Sequence, residues 1–284
     1  MFSINVLLYG DYPDLAQRCL ESIGKQCVTS PSLVQDVRVG MNAVSQGVRR
    51  YAARWADNIS TACDGLPVFI YNSKHNVRKY PLMRRMFHDL EKPITAEWVM
   101  WFDDDSFFKG HVSNGLSTLQ SLVDKDVLAD MYGSVWERKL HGNQKQFFES
   151  LHWWNGIPTN ARRGGSWVSF VTGGWWLLRS SVISLYDWPA KEIKHNGGDM
   201  MLGALLNQQR RKVVHVGYND FCVAINADNG GKNSSMPRRG LSEGLVGCGY
   251  VKNKIVDLSY HDFEVHRVEY PGCKRILLSS EMNQ

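Results

Sequence analysis

Glu97-Trp-Val-Met-Trp-Phe-Asp-Asp-Asp-Ser-Phe-Phe108 decides how the rest of this chain is read. Residues 98–102 are all apolar, the signature of a strand covered on both faces, and the run stops at three consecutive carboxylates. A buried strand does not tolerate that charge without a cation. Side chains alternate across a strand, so Asp103 and Asp105 are expected on one side, where their oxygens suit a hard divalent ion such as magnesium or manganese. In open α/β sheets, ligands bind in the crevice beyond the carboxyl ends of the strands, which is where this triplet falls. The plainer reading is an acidic turn whose Asp105 or Ser106 caps the next helix.

Working outward, residues 4–9 read as a strand, and residues 15–23 follow with apolar side chains at helical spacing. Residues 36–45 and 66–72 give two more strands, and residues 44–57 and 79–90 two more helices. Repeated strand–helix alternation predicts an α/β fold built on a single Rossmann-like, doubly wound, mostly parallel sheet. Beyond the triplet, a helix is expected at 115–124 and a strand at 131–136. The chain then becomes rich in glycine and tryptophan. His152-Trp-Trp-Asn155, Ala161-Arg-Arg-Gly-Gly165 and Phe170-Val-Thr-Gly-Gly-Trp-Trp-Leu-Leu-Arg179 are expected as loops that build a site, with aromatic faces and cations beside flexible backbone. A helix at 199–208 and a short strand at 212–216 come next. Residues 226–249 are poor in apolar side chains and are expected to form a lid loop.

With 43% hydrophobic and 21% charged residues, the composition is that of an ordinary globular domain, and one domain is expected over residues 1–284. Residues 1–10 lack a basic n-region and read as a first strand rather than a signal peptide. No apolar run approaches the ~18 residues that span a bilayer. A soluble, cytoplasmic protein without integral membrane association is therefore expected. The six cysteines form no C-x-x-C pair, which argues against a zinc site and fits a reducing compartment. The net charge of +5 is compatible with an acidic partner but too small to choose among nucleotide, nucleic acid and anionic lipid.

Four stretches together resemble the A-type glycosyltransferase (GT-A) fold and, within it, the family-two group of nucleotide-sugar transferases. They are Val6-Leu-Leu-Tyr-Gly-Asp11 with its following helix, Trp101-Phe-Asp-Asp-Asp105, Val171-Thr-Gly-Gly-Trp-Trp-Leu-Leu-Arg179, and Gly197-Gly-Asp-Met-Met-Leu-Gly203. The resemblance covers roughly residues 1–216. It implies a nucleotide-binding half at 1–110, an acceptor-side half at 111–225, and a lid loop with C-terminal segment at 226–284. The implied donor is a nucleotide-diphosphate sugar, used with a divalent ion that bridges its phosphates and stabilises the leaving group. The implied chemistry is that of a hexosyl- or pentosyltransferase.

Carried onto this sequence, the resemblance implies that Asp103 and Asp105 hold the metal, with Asp103 alternatively on a ribose hydroxyl and Asp104 in the nucleotide-sugar site. Tyr9, Gly10 and Asp11 are placed to receive base and ribose. Gly173 and Gly174 allow close approach of the sugar, and Asp199 is the candidate base of an inverting transfer. The family usually has Glu-Asp at that point, and here Gly198 stands in place of the glutamate. Trp175, Trp176, Trp153 and Trp154 are expected as acceptor platforms. His261 is the preferred extra metal ligand over His266, and Arg238 with Arg239 is assigned to the diphosphate from charge and position.

Two acceptor classes fit. Hydroxymethylated bases in DNA suit basic loops interleaved with tryptophan and are favoured slightly, as in phage-type transferases acting in the host cytoplasm. A cell-surface glycan or lipid-linked sugar is the other class, although no amphipathic basic helix suited to a bilayer is evident. The competing classes are a metal-dependent phosphoryl transferase or nuclease, which needs more carboxylates near the triplet, and a binding module without chemistry.

Overall fold

The computed structural model describes residues 1–110, 114–140, 142–158, 167–193, 197–216, 222–224, 248–251, 255–257 and 266–267. The first half runs β1 (Phe2–Tyr9), α1 (Pro13–Thr29), β2 (Val34–Asn42), α2 (Gln46–Ala62), β3 (Val68–Ser73), α3 (Lys79–Phe87) and β4 (Trp98–Asp103). These are the elements expected from the sequence, with shifted ends that have local causes. β2 stops three residues short of position 45 because Ala43 adopts a φ of 52° and the Ser45 hydroxyl accepts from Val48 N, capping α2. α3 ends at Phe87 because the Asp89 carboxylate accepts from the N–H groups of Glu91 and Lys92, turning the chain ahead of Pro93.

The second half comprises β5 (Phe107–Phe108), α4 (Gly115–Lys125), β6 (Ala129–Lys139), α5 (Gly142–Glu149), β7 (Trp167–Arg179), α6 (Ser180–Tyr186), α7 (Gly198–Gln208), β8 (Lys212–His215) and β9 (Val223–Ala224). The short strands β10 (Cys248–Val251), β11 (Ile255–Asp257) and β12 (His266–Arg267) follow. One expectation is corrected here. Phe170 to Arg179 is not a site-building loop but most of β7, whose apolar side chains are buried on both faces of the sheet. Two glycines within the motif gave the appearance of a loop; the aromatic and branched residues around them set the strand. Of the expected lid at 226–249, all but the start of β10 lies outside the described residues.

The central sheet has the order β3-β2-β1-β4-β7-β6-β12, with β8 also pairing with β6. β3, β2, β1 and β4 are mutually parallel, β8 is parallel to β6, and β7 is antiparallel to both of its neighbours. The fold is therefore α/β, Rossmann-like and mostly parallel, as read from the alternation. Alternate residues of β4 feed two cores. Trp98, Met100 and Phe102 pack with α1, α2 and α4, whereas Val99 and Trp101 pack with α3 and α7. All five are at most 1% exposed, each contributing roughly 1.5–3 kcal/mol through burial.

This arrangement sets up one edge. The parallel strands finish together, with Tyr9 opposite Asn42, Asn42 opposite Ser73, and Asp103 opposite Leu7. Because β7 runs the other way and pairs Trp175 with Phe102, Gly173 and Gly174 arrive at the same edge from the opposite direction. Among the described residues no helix is long and apolar enough to cross a membrane. Cys19, Cys27, Cys63 and Cys222 are buried free thiols.

Candidate active site

β4 ends at Asp103, and Ser106 N donates to Asp103 O at 2.9 Å, closing a turn around Asp104 and Asp105. Strand alternation thus stops before it can place Asp105, which corrects the expectation that Asp103 and Asp105 share a side for that reason. Asp103 has the accessible carboxylate of the three, with a side chain 24% exposed. Asp104 and Asp105 are 2% and 1% exposed. Asp104 Oδ2 accepts from Tyr9 N at 3.2 Å and so ties the ends of β1 and β4 together. Neither Asp105 nor Ser106 caps a helix, since α4 begins only after Asn114.

A second group reaches this turn from α3. Asn42 Oδ1 accepts from Val77 N, and Asn42 Nδ2 donates to Asn76 Oδ1, which also accepts from Arg78 N. Asn76 Nδ2 donates to the Tyr9 hydroxyl at 3.3 Å. Held this way, the connection forces Arg78 to a φ of 74°, a conformation that costs a non-glycine residue energy and that clusters at functional sites. The result is that α3 starts at Lys79 and its ammonium enters the site. Lys79 Nζ donates to Asp103 Oδ2 at 2.9 Å and to Gly173 O at 2.7 Å, while Trp101 Nε1 donates to Asp103 Oδ1 at 2.9 Å. Burial alone would draw the Lys79 ammonium downward, but the carboxylates of Asp103, Asp199 and Asp105 outweigh it and hold its pKa above the ordinary lysine value.

Asp199 is the second residue of α7. The N-cap of that helix is Gly197, at a φ of 88°, and no side chain caps it. The Asp199 carboxylate instead faces α3, where Tyr80 OH donates to its Oδ1 at 2.6 Å. Burial pushes the Asp199 carboxyl up; Lys79 and the Tyr80 hydroxyl pull it back only in part, and Asp103 adds to the upward shift. A raised carboxyl beside a cation at the carboxyl edge of parallel strands is a recurrent mark of proton-transfer sites. Two glycines make the approach possible. A Cβ on Gly173 would lie 2.6 Å from Asp199 Oδ2 and 2.8 Å from Lys79 Nζ, and one on Gly198 would lie 2.1 Å from Tyr80 Cζ. The Tyr80 ring therefore occupies the space that a side chain at 198 would need, which is why the glutamate implied by the resemblance has no room here.

The remaining expectations divide. Tyr9 and Gly10 stand at the carboxyl end of β1, Gly10 at a φ of 65° with its carbonyl accepting from Ser45 N, and Asp11 is exposed without capping α1. Gly174 is buried next to Gly173 in β7. The acceptor platforms need correction. Trp175 and Trp176 are 0% and 1% exposed, and Trp176 stacks on Trp101 with ring centroids 5.8 Å apart, so both are core residues. Trp153 is 3% exposed and packs on Phe148, leaving Trp154 half-buried. Arg238, Arg239 and His261 lie outside the described residues, as does the side chain of His266.

Lys79, Tyr80, Asn42 and Asn76 were not singled out from the sequence. One signal was available for Lys79: a lysine at the first position of a helix opposes the helix dipole and calls for a reason. Cys19, packed beneath the triplet, has its thiol pushed well up by burial and then by Asp104, Asp105 and Asp103, which disfavours the thiolate. Among the described residues, no three or more His, Cys, Asp or Glu side chains form a group suited to a metal. A magnesium or manganese ion completed by substrate phosphates would meet one accessible carboxylate here, Asp103, and would share its oxygens with Lys79 and Trp101.

No protein-family model matches the chain, and no curated protein does. Solved structures do match. The mannosyltransferase PcManGT from Pyrobaculum calidifontis, in complex with GDP-Man and Mn2+, is 15% identical over 70% of this chain and 49% of its own, with a TM-score of 0.46. TarS from S. aureus, in complex with UDP, is 14% identical over 72% of this chain and 55% of its own, at 0.48. HddC from Yersinia pseudotuberculosis is 10% identical over 67% and 81%, at 0.37. The chain spans about half the length of the first two. Likeness at this level does not assign an activity to this chain.

Proposed function

We propose that this chain is a glycosyltransferase that moves a sugar from a nucleotide-diphosphate sugar to an acceptor hydroxyl with inversion. The observation that carries the reading is the meeting of Asp103, Lys79 and Asp199 around Gly173 at the carboxyl edge of the parallel strands. Nucleotide ligands of such sheets lie at that edge. Base and ribose are assigned to Tyr9, Gly10 and Asp11. Asp199, with its pKa raised, is assigned to take the acceptor proton. As the acceptor O–H gives up that proton, its oxygen bonds to the anomeric carbon. The bond from that carbon to the diphosphate oxygen breaks, and its electron pair leaves with the nucleoside diphosphate. A divalent ion held at Asp103 would supply charge neutralisation for the diphosphate.

The phosphoryl-transfer reading is less well supported, because it needs several reachable carboxylates and Asp104 and Asp105 are buried. Of the tryptophans that favoured DNA, Trp153 is buried while Trp154 and Trp167 are half-buried, so hydroxymethylated DNA and glycans enter the acceptor screen as equal arms. The test is a thermal-shift panel of nucleoside diphosphates and nucleotide sugars with and without manganese, since a ligand that binds only the folded state raises the midpoint. A manganese-dependent shift with one nucleotide is expected. No shift with any of them would reject the transferase reading.

A further inference from the structure

We infer that Tyr80 is a positioning residue for the transfer, its hydroxyl holding the Asp199 carboxylate in the rotation from which it accepts the proton; this rests on the transferase reading above. The O–H···O distance of 2.6 Å is that of a charge-assisted hydrogen bond. A carboxylate left to itself turns freely about its last torsion, which spreads its oxygens over many directions. Here one oxygen is held by Tyr80 and the other lies against the backbone of Gly173.

The phenol is fixed in turn. Tyr80 is 2% exposed and meets Trp188 edge to face, with ring centroids 6.4 Å apart at 74°. Its ring lies over Gly198, where a Cβ would stand 2.1–2.5 Å from three of its carbons, so the helix that carries Asp199 is shaped to admit this ring. The ring serves packing, and phenylalanine would fill the same volume. The hydroxyl therefore serves the carboxylate, and Tyr80 keeps its own proton while Asp199 takes the acceptor's. Holding a reacting group within a narrow range of directions raises turnover without strengthening donor binding.

Tyr80→Phe tests this. UDP-, GDP-, ADP- and dTDP-hexoses are supplied with manganese, with hydroxymethylated DNA and short oligosaccharides as acceptors, and release of nucleoside diphosphate is followed. The expected result is a kcat lowered about 10- to 100-fold with donor KM unchanged, accompanied by a modest fall in Tm because the Asp199 oxygen left without its donor is partly buried. An unchanged kcat in Tyr80→Phe would overturn the inference and leave the transferase reading standing. So would a variant that does not fold, or a fall in kcat that disappears when the assay is run well below the variant's Tm, since the hydroxyl would then serve stability alone. A wild-type chain that releases no nucleoside diphosphate from any of these donors would overturn both.

Discussion

Lys79, the first residue of α3, places its ammonium 2.9 Å from the carboxylate of Asp103, the last residue of β4. The pair joins a helix start to a strand end and supplies positive charge where Asp103 and Asp199 converge. With side chains only 11% and 24% exposed, it sits between a surface pair and a buried one. Removing one partner leaves the other charge without compensation, which costs far more than the pair contributes.

Lys79→Met is accordingly expected to destabilise the fold by about 3 kcal/mol and to abolish transfer. Because the folded-state pKa of Lys79 is raised, its contribution is complete below about pH 10 and is lost only as the pH climbs through the higher folded value. Urea unfolding of wild type and variant between neutral and alkaline pH measures this. An identical unfolding midpoint for the two chains at neutral pH would remove Lys79 from the account.

Asp199→Asn should keep nucleotide binding and lose turnover, whereas Asp103→Asn, at the accessible carboxylate of the triplet, should lose metal-dependent transfer. The Asp199 carboxyl is raised by burial, so the acid limb of kcat should lie above the ordinary aspartate value of about 3.9. The same shift works against the fold. A raised carboxyl favours the native state below its unfolded value, and that advantage disappears as the pH rises through the folded value. The Tm of Asp199→Asn relative to wild type should therefore rise from pH ~4 towards neutrality. Full transfer activity in Asp199→Asn would exclude it as the base.

Gly173→Ala introduces a methyl group 2.6 Å from Asp199 Oδ2 and 2.8 Å from Lys79 Nζ. The position has no positive φ to protect, so the backbone tolerates alanine and the effect falls on the site. Displacing the base by about 1 Å costs on the order of 100-fold in turnover. Steady-state kinetics alongside a thermal melt would check it, and a variant with wild-type kcat would show that the two groups move aside freely.

Trp176→Ala separates a core role from an acceptor role. Trp176 stacks on Trp101 and meets Phe87 and Trp188 edge-on, so its loss should cost about 3–5 kcal/mol of stability. Trp154→Ala, at a half-buried position, should cost much less. Equal stability of the two variants would return Trp176 to the list of platform residues.

What was legible in the sequence was what periodicity and local chemistry determine. Residues 98–102 announced a strand covered on both faces, and the alternation of residues 4–90 announced a parallel sheet, because burial of a continuous apolar run and amphipathic spacing are local signals. The acidic turn at Asp103 and the helix start at Asp199 were likewise visible as residue types at element ends. The antiparallel direction of β7 was not, since pairing partners depend on contacts far apart in sequence. That direction is what brings Gly173 beside Asp103 and sends Trp175 and Trp176 into the core. The place of Lys79 and Tyr80 was equally hidden, because a cation and a phenol 24 and 119 positions from their partners acquire a role only when α3 packs on the sheet and its first side chains reach the end of β4 and the start of α7. Sequence by itself determined the elements and the charges at their ends. The tertiary structure alone decided which of those charges face one another, because electrostatic and hydrogen-bond energies depend on separation in space.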